Sequence, residues 1–545
     1  MFTILNIGLI LIMLLIAYWW ANQGLFSALL HLFCVIAAGA IALAFWEPLT
    51  VNLLLRGTWF DDHAWGVSLV GLFAITLFGL RLAFDRLAPG NVDLPHWANM
   101  TFGGVIGAGA AVLTVGILII GAGHVQADRD IMDFRGVARE RGGQITTINN
   151  LWVPAHQVTS EFYEFLSAGS LRTNTPLRQY NPKLYQQATL IRDSYTSGGL
   201  LAGRVGLNPE AVSIEAFEVL DEGGADGQRY AVMLQFDRAA FDGGQQLVIS
   251  QSQVRLIGIP TDRNAEPSVG FPDRWSQETD TGARSYEFDD PSHYITSVAG
   301  RESADVRIEF PIGRGEGQFR ERPSFSRFYI QVKGVRFELP APETVTSGVF
   351  ATNRATLGTE RERVVVEQVE GAVTIADDEI HLRNNIRNFN IRTAQLGMAM
   401  DVIDDYMVQG RAQVRRGGER VPRELRVDGI HEMEGTRIVQ LDVSRGTTAD
   451  LYGPARARVD EDAVPFLVDR NGNRYRPIGY VYNDTETIEV LLNPQRGAGT
   501  LSDLPDLPSA GDHTLKLVFR ITEGVELTQF QFDSTLVANV DLVVR

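Results

Sequence analysis

The sequence predicts a membrane-embedded α-helical module followed by a mainly-β soluble region. Three observations predict it. Residues 1–123 hold four apolar segments, Ile4–Trp20, Leu25–Trp46, Gly66–Phe84 and Gly103–Gly123, each near the length that crosses a bilayer as a helix. After Gly123 the chain turns polar and acidic. From residue 211 it breaks into short alternating runs bounded by Gly, Pro, Asn and Asp, the pattern of strands joined by turns. The expected division is a four-helix module over 1–123, a partly helical juxtamembrane segment over 124–210, a β-sandwich over 211–340, a β-containing connector over 341–435 and a second β-sandwich over 436–545. Short strands with regular turns suit immunoglobulin-like sandwiches.

At 545 residues the chain has room for several domains. Its formal charge of −17 excludes a nucleic-acid partner, since phosphate recognition needs a basic face. Lys occurs only at 183, 333 and 516. Arg carries nearly all the positive charge and is spread along the tail rather than gathered in patches. The single cysteine, Cys34, rules out an intrachain disulfide. The N-terminus lacks a basic n-region and a small-x-small cleavage site, so the first segment is expected to be retained as a helix.

The first segment carries Asn6 and ends in Tyr18-Trp19-Trp20, an aromatic interface marker. The tight turn Ala21-Asn22-Gln23-Gly24 makes the first two segments an antiparallel hairpin. Asn6 and His31 are the intramembrane polar candidates, since ionisable or polar residues at membrane depth mark paths or packing contacts. Proline is expected to end the second helix at Trp46-Glu47-Pro48. The run Trp59-Phe60-Asp61-Asp62-His63 reads as a solvated loop with an aromatic anchor. Arg81 and Asp85 stand at i and i+4 and predict an ion pair. Gly103/Gly107 and Gly104/Ala108 are small-xxx-small pairs, which let helix backbones approach closely. They are the helix-packing candidates, within one bundle or across a homo-oligomer.

Residues 1–123 resemble the bacterial colicin V production protein (CvpA) family. The resemblance rests on Gly24-Leu25-Phe26-Ser27-Ala28-Leu29, a second helix rich in Ala and Gly, Trp46-Glu47-Pro48-Leu49, a third helix ending in Arg, Asn99, and the start Gly103-Gly104-x-x-Gly107 of the fourth. It covers less than a quarter of the chain. The family's first turn usually carries Arg-Gly with further basic residues; Ala21-Asn22-Gln23-Gly24 departs from that. The resemblance implies a multi-pass protein of the bacterial inner membrane, linked to colicin V-like toxin production or export and to envelope maintenance. It also implies extracytoplasmic ends. The arginine distribution alone leaves the orientation open.

In the tail, Phe162, Phe165 and Leu166 form a helical stripe expected to pack inward, and Pro182 starts a second helix over Leu184–Tyr195. Strands are expected at Tyr230–Phe236, Gln246–Ile259, Asp305–Phe310 and Phe328–Leu339, with a long exposed loop near 260–303. The Asp305–Phe310 strand is expected to be half-buried, with Arg307 and Glu309 facing water. Asp289, Asp290 and His293 read as an acidic turn. Strand-like pieces follow at Arg363–Val369 and Ala372–Ile375, and Arg415–Arg420 reads as a charged tip. Asn471-Gly472 signals a hairpin. The same stretch departs from a calcium loop, with Arg474 where Gly is needed and Tyr480 where Glu is needed. Later strands are expected at Leu515–Ile521, Phe530–Phe532 and Val537–Val544. The two β regions share an order of strands that suggests a distant repeat.

The tail's histidines are scattered, and no G-x-S-x-G, P-loop, dinucleotide fingerprint or H-E-x-x-H motif occurs. No catalytic, cofactor-binding or metal-ligating residue is therefore named. The expected function is non-enzymatic: presentation of β-sandwiches to protein partners in the cell envelope, with the lipid bilayer as the other partner. Two alternatives come from other classes. One is a transport or secretion component whose path is lined by Asn6, His31 and the fourth helix. The other is an envelope hydrolase with an unrecognised site.

Overall fold

The computed structural model describes residues 1–87, 95–126, 132, 134–141, 143–147, 150–169, 176–194, 204–221, 228–242, 246–262, 265–279, 282–291, 293–298, 300–313, 317–320, 324–346, 366–386, 400–403, 405–415, 427–432, 435–452, 459–484, 486–494, 497–509 and 513–545. Four helices are long and apolar enough to cross a membrane: α1 (Phe2–Gln23), α2 (Leu25–Leu49), α3 (Asp61–Leu87) and α4 (His96–Gly123). Three shorter helices follow, α5 (Ala155–Ala168), α6 (Leu177–Tyr180) and α7 (Leu184–Leu190).

Pro48 does not end α2. The helix runs through it and continues as a π-helical turn, Thr50–Leu54. Just past the proline, the Thr50 hydroxyl donates to the Trp46 carbonyl at 2.7 Å and meets the Ser68 hydroxyl of α3 at 2.5 Å. Asp61 and Asp62 are not a solvated loop. They open α3, where carboxylates oppose the positive helix end, and buried Asp61 accepts N–H bonds from Gly57 at 2.8 Å and Thr58 at 3.1 Å. Arg81 and Asp85 pair at 2.7 Å.

Two β units follow. In the first, a six-stranded sheet runs in the order Glu343–Thr346, Val212–Asp221, Gln228–Asp237, Ser303–Pro311, Arg274–Thr279, Gly282–Glu287. A four-stranded sheet runs Val335–Leu339, Phe325–Val332, Val254–Pro260, Ser268–Gly270. In the second unit the large sheet runs Ile380–Leu382, Thr436–Asp442, Thr514–Thr522, Pro477–Asn483, Thr487–Leu492, Tyr406–Arg415, Met400–Ile403. Its small sheet runs Thr535–Val543, Glu526–Phe532, Pro465–Asp469, Arg474–Tyr475. Five consecutive places in the large sheets and all four in the small ones correspond, every shared pairing being antiparallel.

Several strand expectations are corrected. Gln246–Ile259 divides into Val248–Ser250 and Val254–Pro260 around a 3-10 turn. The expected exposed loop near 260–303 carries four strands. Arg307 and Glu309 are buried, not water-facing: their strand is central in the sheet, and Arg307 pairs with Glu218 and Glu309, each at 3.3 Å. The α5 stripe divides: Phe162 and Leu166 pack against the shared core, and Phe165 points outward. Phe165 is 72% exposed, while Ala155, His156, Thr159, Ser160 and Tyr163 are buried. The helix at 184 ends at Leu190 rather than Tyr195. Parts of the expected features at 363–369 and 415–420 lie outside the described residues.

Helices and first β unit share one core. Val35, Trp46, Trp65 and Ile117 belong to the same buried apolar cluster as Tyr163, Phe217, Phe236, Ile308 and Phe328. The second unit has its own core, around Val439, Leu467, Phe519 and Phe530.

Candidate functional site

Buried and partly buried polar groups gather at the junction where the first β unit meets the helix ends. It begins with a two-residue turn. Strands Phe325–Val332 and Val335–Leu339 pair with Val332 opposite Val335, leaving Lys333 and Gly334 as the turn. Both have positive φ, 46° and 84°, the backbone that matches strand twist in the tightest hairpins. Sequence reading took Phe328–Leu339 as one alternating strand. The turn overrides that parity and aims Lys333 inward instead of along a sheet face.

Lys333 is fully buried, and its Nζ lies 2.9 and 3.1 Å from the two carboxylate oxygens of Asp242. Asp242 also accepts the backbone N–H of Arg204 at 2.6 Å and of Val248 at 2.7 Å. A buried ion pair survives only with such added hydrogen bonds. Gly334 closes the site against α3: a Cβ there would stand 3.2 Å from the Trp65 ring and 3.0 Å from Ile191.

Polar contacts then tie this region to the ends of α2, α3 and α4. Arg336 pairs with Glu47 of α2 at 2.9 Å and lies over the rings of Tyr180 and Tyr329. Arg204 pairs with Asp62 of α3 at 3.0 Å and donates to the Thr58 carbonyl at 2.7 Å. The Val205 N–H reaches Gln126, beyond α4, at 2.9 Å. At the centre His124 meets the Trp46 ring edge-to-face, at 5.2 Å between centroids. Its Nδ1 donates to the Ile120 carbonyl at 2.8 Å. Burial disfavours the imidazolium and lowers its pKa to about 4. His156, between Phe134 and Tyr185, is also lowered to about 4 by burial.

Two tyrosines extend the junction down the bundle. The Tyr163 hydroxyl donates to the Val35 carbonyl and the Tyr180 hydroxyl to the Leu43 carbonyl, both at 3.0 Å. Gly39 makes room for the first, since a Cβ would collide with the Tyr163 hydroxyl.

The sequence candidates lie elsewhere and apart from one another. Gly103 and Gly107 are buried where α4 meets α1 and its turn; their Cβ positions would fall 3.2 Å from the Trp20 carbonyl oxygen and 2.8 Å from the Trp20 Cβ. Gly104 is half-buried near Ala21, and Ala108 is exposed. Asn6 is buried at the start of α1, where its side chain accepts the Trp152 N–H at 2.7 Å. His31 stands at the opposite end of the bundle, stacked on Trp20 with centroids 4.0 Å apart, and Arg81 lies over the same Trp20 ring. Asn6 and His31 make no contact with each other. Asp289 and His293 meet at 2.8 Å in a half-exposed turn.

Chemically, the junction clamps. Its carboxylates are held by cations and N–H donors, and the small cavity beneath the turn, lined by Gln187, Arg255, Gln331 and Gly334, has room for about one water. Among the described residues no three His, Cys, Asp or Glu side chains gather as a metal site. The sequence signal for the clamp was the lysine itself, followed by glycine between two alternating runs. No family model, curated protein or solved structure matches this chain.

Proposed function

We propose that the chain is a non-enzymatic integral membrane protein of the CvpA type. Its helices hold two immunoglobulin-like β units outside the cytoplasmic membrane of a bacterium, where the units bind protein partners of the envelope. The observation that carries this reading is the clamp. Gly334 against Trp65, Arg336–Glu47 and Arg204–Asp62 join the first unit to the helices through one core, which suits a rigid platform better than a tethered domain. The second unit meets the first through Arg476, which pairs with Glu302 at 2.6 Å, through Arg238, which donates to the Pro494 carbonyl at 3.0 Å, and through a strand bridge between Arg301 and Tyr475. A link to toxin production or export follows from the resemblance of residues 1–123 alone.

Paired reporters fused after Arg545 test the placement, one active only outside the membrane and one only inside. The expected result is the outside signal. An inside signal overturns the extracytoplasmic reading and makes the β units a cytosolic platform.

A further inference from the structure

Helix α5 is too short and too polar to cross a bilayer, yet it lies against the part of the bundle that a bilayer would surround. Two rulers give its level. On α4, Gly103 abuts the α1–α2 turn, while Gly116 is where α5 crosses: a Cβ there would collide with the Thr159 hydroxyl and the Ala155 carbonyl. Thirteen residues of helix separate the two glycines, about 20 Å, within a hydrocarbon core about 30 Å thick. On α1, Ala155 and Val153 pack with Leu9, Ile10, Met13 and Ile16. That helix exposes Ile4 and Ile7 on one side of this level and Leu14, Leu15 and Trp19 on the other. The apolar outer surface of α1 therefore extends both above and below α5.

The outward face of α5 matches that surface. Val158, Phe162 and Phe165 follow at i, i+4 and i+7; Phe165 is 72% exposed, Val158 44%, and Phe162 is partly buried. Trp152, just before the helix, is 56% exposed. Glu161 shares the exposed side and accepts from Gln157 at 2.9 Å. A short helix with an apolar stripe beside a carboxylate is the pattern of an element lying in the plane of an interface.

We infer that α5 is a fifth membrane-contacting element. It lies in the leaflet nearer the β units, with Trp152, Val158 and Phe165 against acyl chains and Glu161 at the headgroup boundary. The bilayer thereby grips the junction from outside, through the same helix whose Tyr163 and Thr159 grip α2 and α4 from inside. The inference rests on the membrane reading of the four long helices.

Spin labels on the full chain in lipid nanodiscs test it. In a Cys34→Ser background, labels are placed singly at Phe165→Cys and Val158→Cys. References are Ile75→Cys on the exposed face of α3 and Asn471→Cys in an exposed turn. Collision with oxygen is compared with collision with a water-soluble nickel complex. The expected oxygen-to-nickel ratio at 165 and 158 is several-fold above that at 471 and close to that at 75. A ratio at both α5 sites equal to that at 471, with 75 still lipid-like, overturns the inference and leaves the membrane reading standing. A water-like ratio at 75 overturns the membrane reading, and the inference with it.

Discussion

Each β unit closes with a hairpin that ends in a two-residue turn, Lys333–Gly334 in the first and Asp533–Ser534 in the second. The strands around the two turns occupy the same places in the same sheet order. Lys333 is buried on Asp242, with Gly334 against Trp65. Asp533 and Ser534 are exposed. One strand plan thus supplies a turn buried against helices in one copy and an exposed turn, bonded to Val464 and Arg474, in the other. The difference lies in two side chains per turn and in what is available to cover them. Strand order fixes where a turn is; it does not fix whether the turn is an interface.

The largest test of this comparison is the charge at the buried turn. Lys333→Met leaves the Asp242 carboxylate buried without its cation, and such a loss costs about 3–5 kcal/mol. Asp533→Asn at the corresponding turn keeps the backbone preference and changes stability by about 0.5 kcal/mol or less. Thermal or denaturant unfolding of both variants in detergent measures the contrast. Equal effects would mean that the two turns carry similar loads.

Acid gives the next largest effect. His124 and His156 sit at the junction with folded pKa values near 4 against an ordinary 6.5. Between those limits the unfolded chain binds protons that the folded imidazoles refuse, so stability is fully present above pH 6.5 and is lost as pH falls toward 4. The loss is on the order of 3 kcal/mol for each group at the acid end. Hydrogen exchange against pH should show the junction and first unit loosening before the second unit. His124→Phe should flatten part of that dependence.

The smallest effect belongs to the contact between the units. Arg476 and Glu302 are partly exposed, and pairs of that kind contribute about 0–1 kcal/mol. Arg476→Ala should leave the unfolding of each unit nearly unchanged while widening the distance distribution between labels placed one on each unit. An unfolding shift comparable to that of Lys333→Met would show that the two units fold as one body.

Legibility followed the range of the forces involved. The four long helices could be read because a bilayer-length apolar run has few other uses. Thr514–Thr522 could be read because Leu515, Leu517, Phe519 and Ile521 alternate into a core covered on that side. The hairpin at Asn471-Gly472 could be read because turn chemistry is local, though the turn is longer than the two residues the motif signals: Asp469 pairs across to Asn473, Gly472 takes φ 80°, and Asp469 gathers the N–H groups of Asn471 and Asn473. Arg307 and Glu309 misled because alternation reports polarity, not exposure, and ion pairs let a polar row be buried. Phe165 misled in the opposite sense: it was read with Phe162 and Leu166 as core-facing, and it alone of the three faces outward.

The sequence by itself determined the helical module, its tight first turn, the change to strands and most of the strand positions, since each is set by neighbours along the chain. Only the tertiary structure decided the clamp. Lys333 and Asp242, Arg336 and Glu47, Arg204 and Asp62, Tyr163 and Val35 are far apart in sequence, and each residue alone reads as an ordinary surface or packing group. Their pairing follows from burial. Once the helices and the first unit share a core, every charge at the boundary must find its opposite or stay out, and the fold places the opposites within reach.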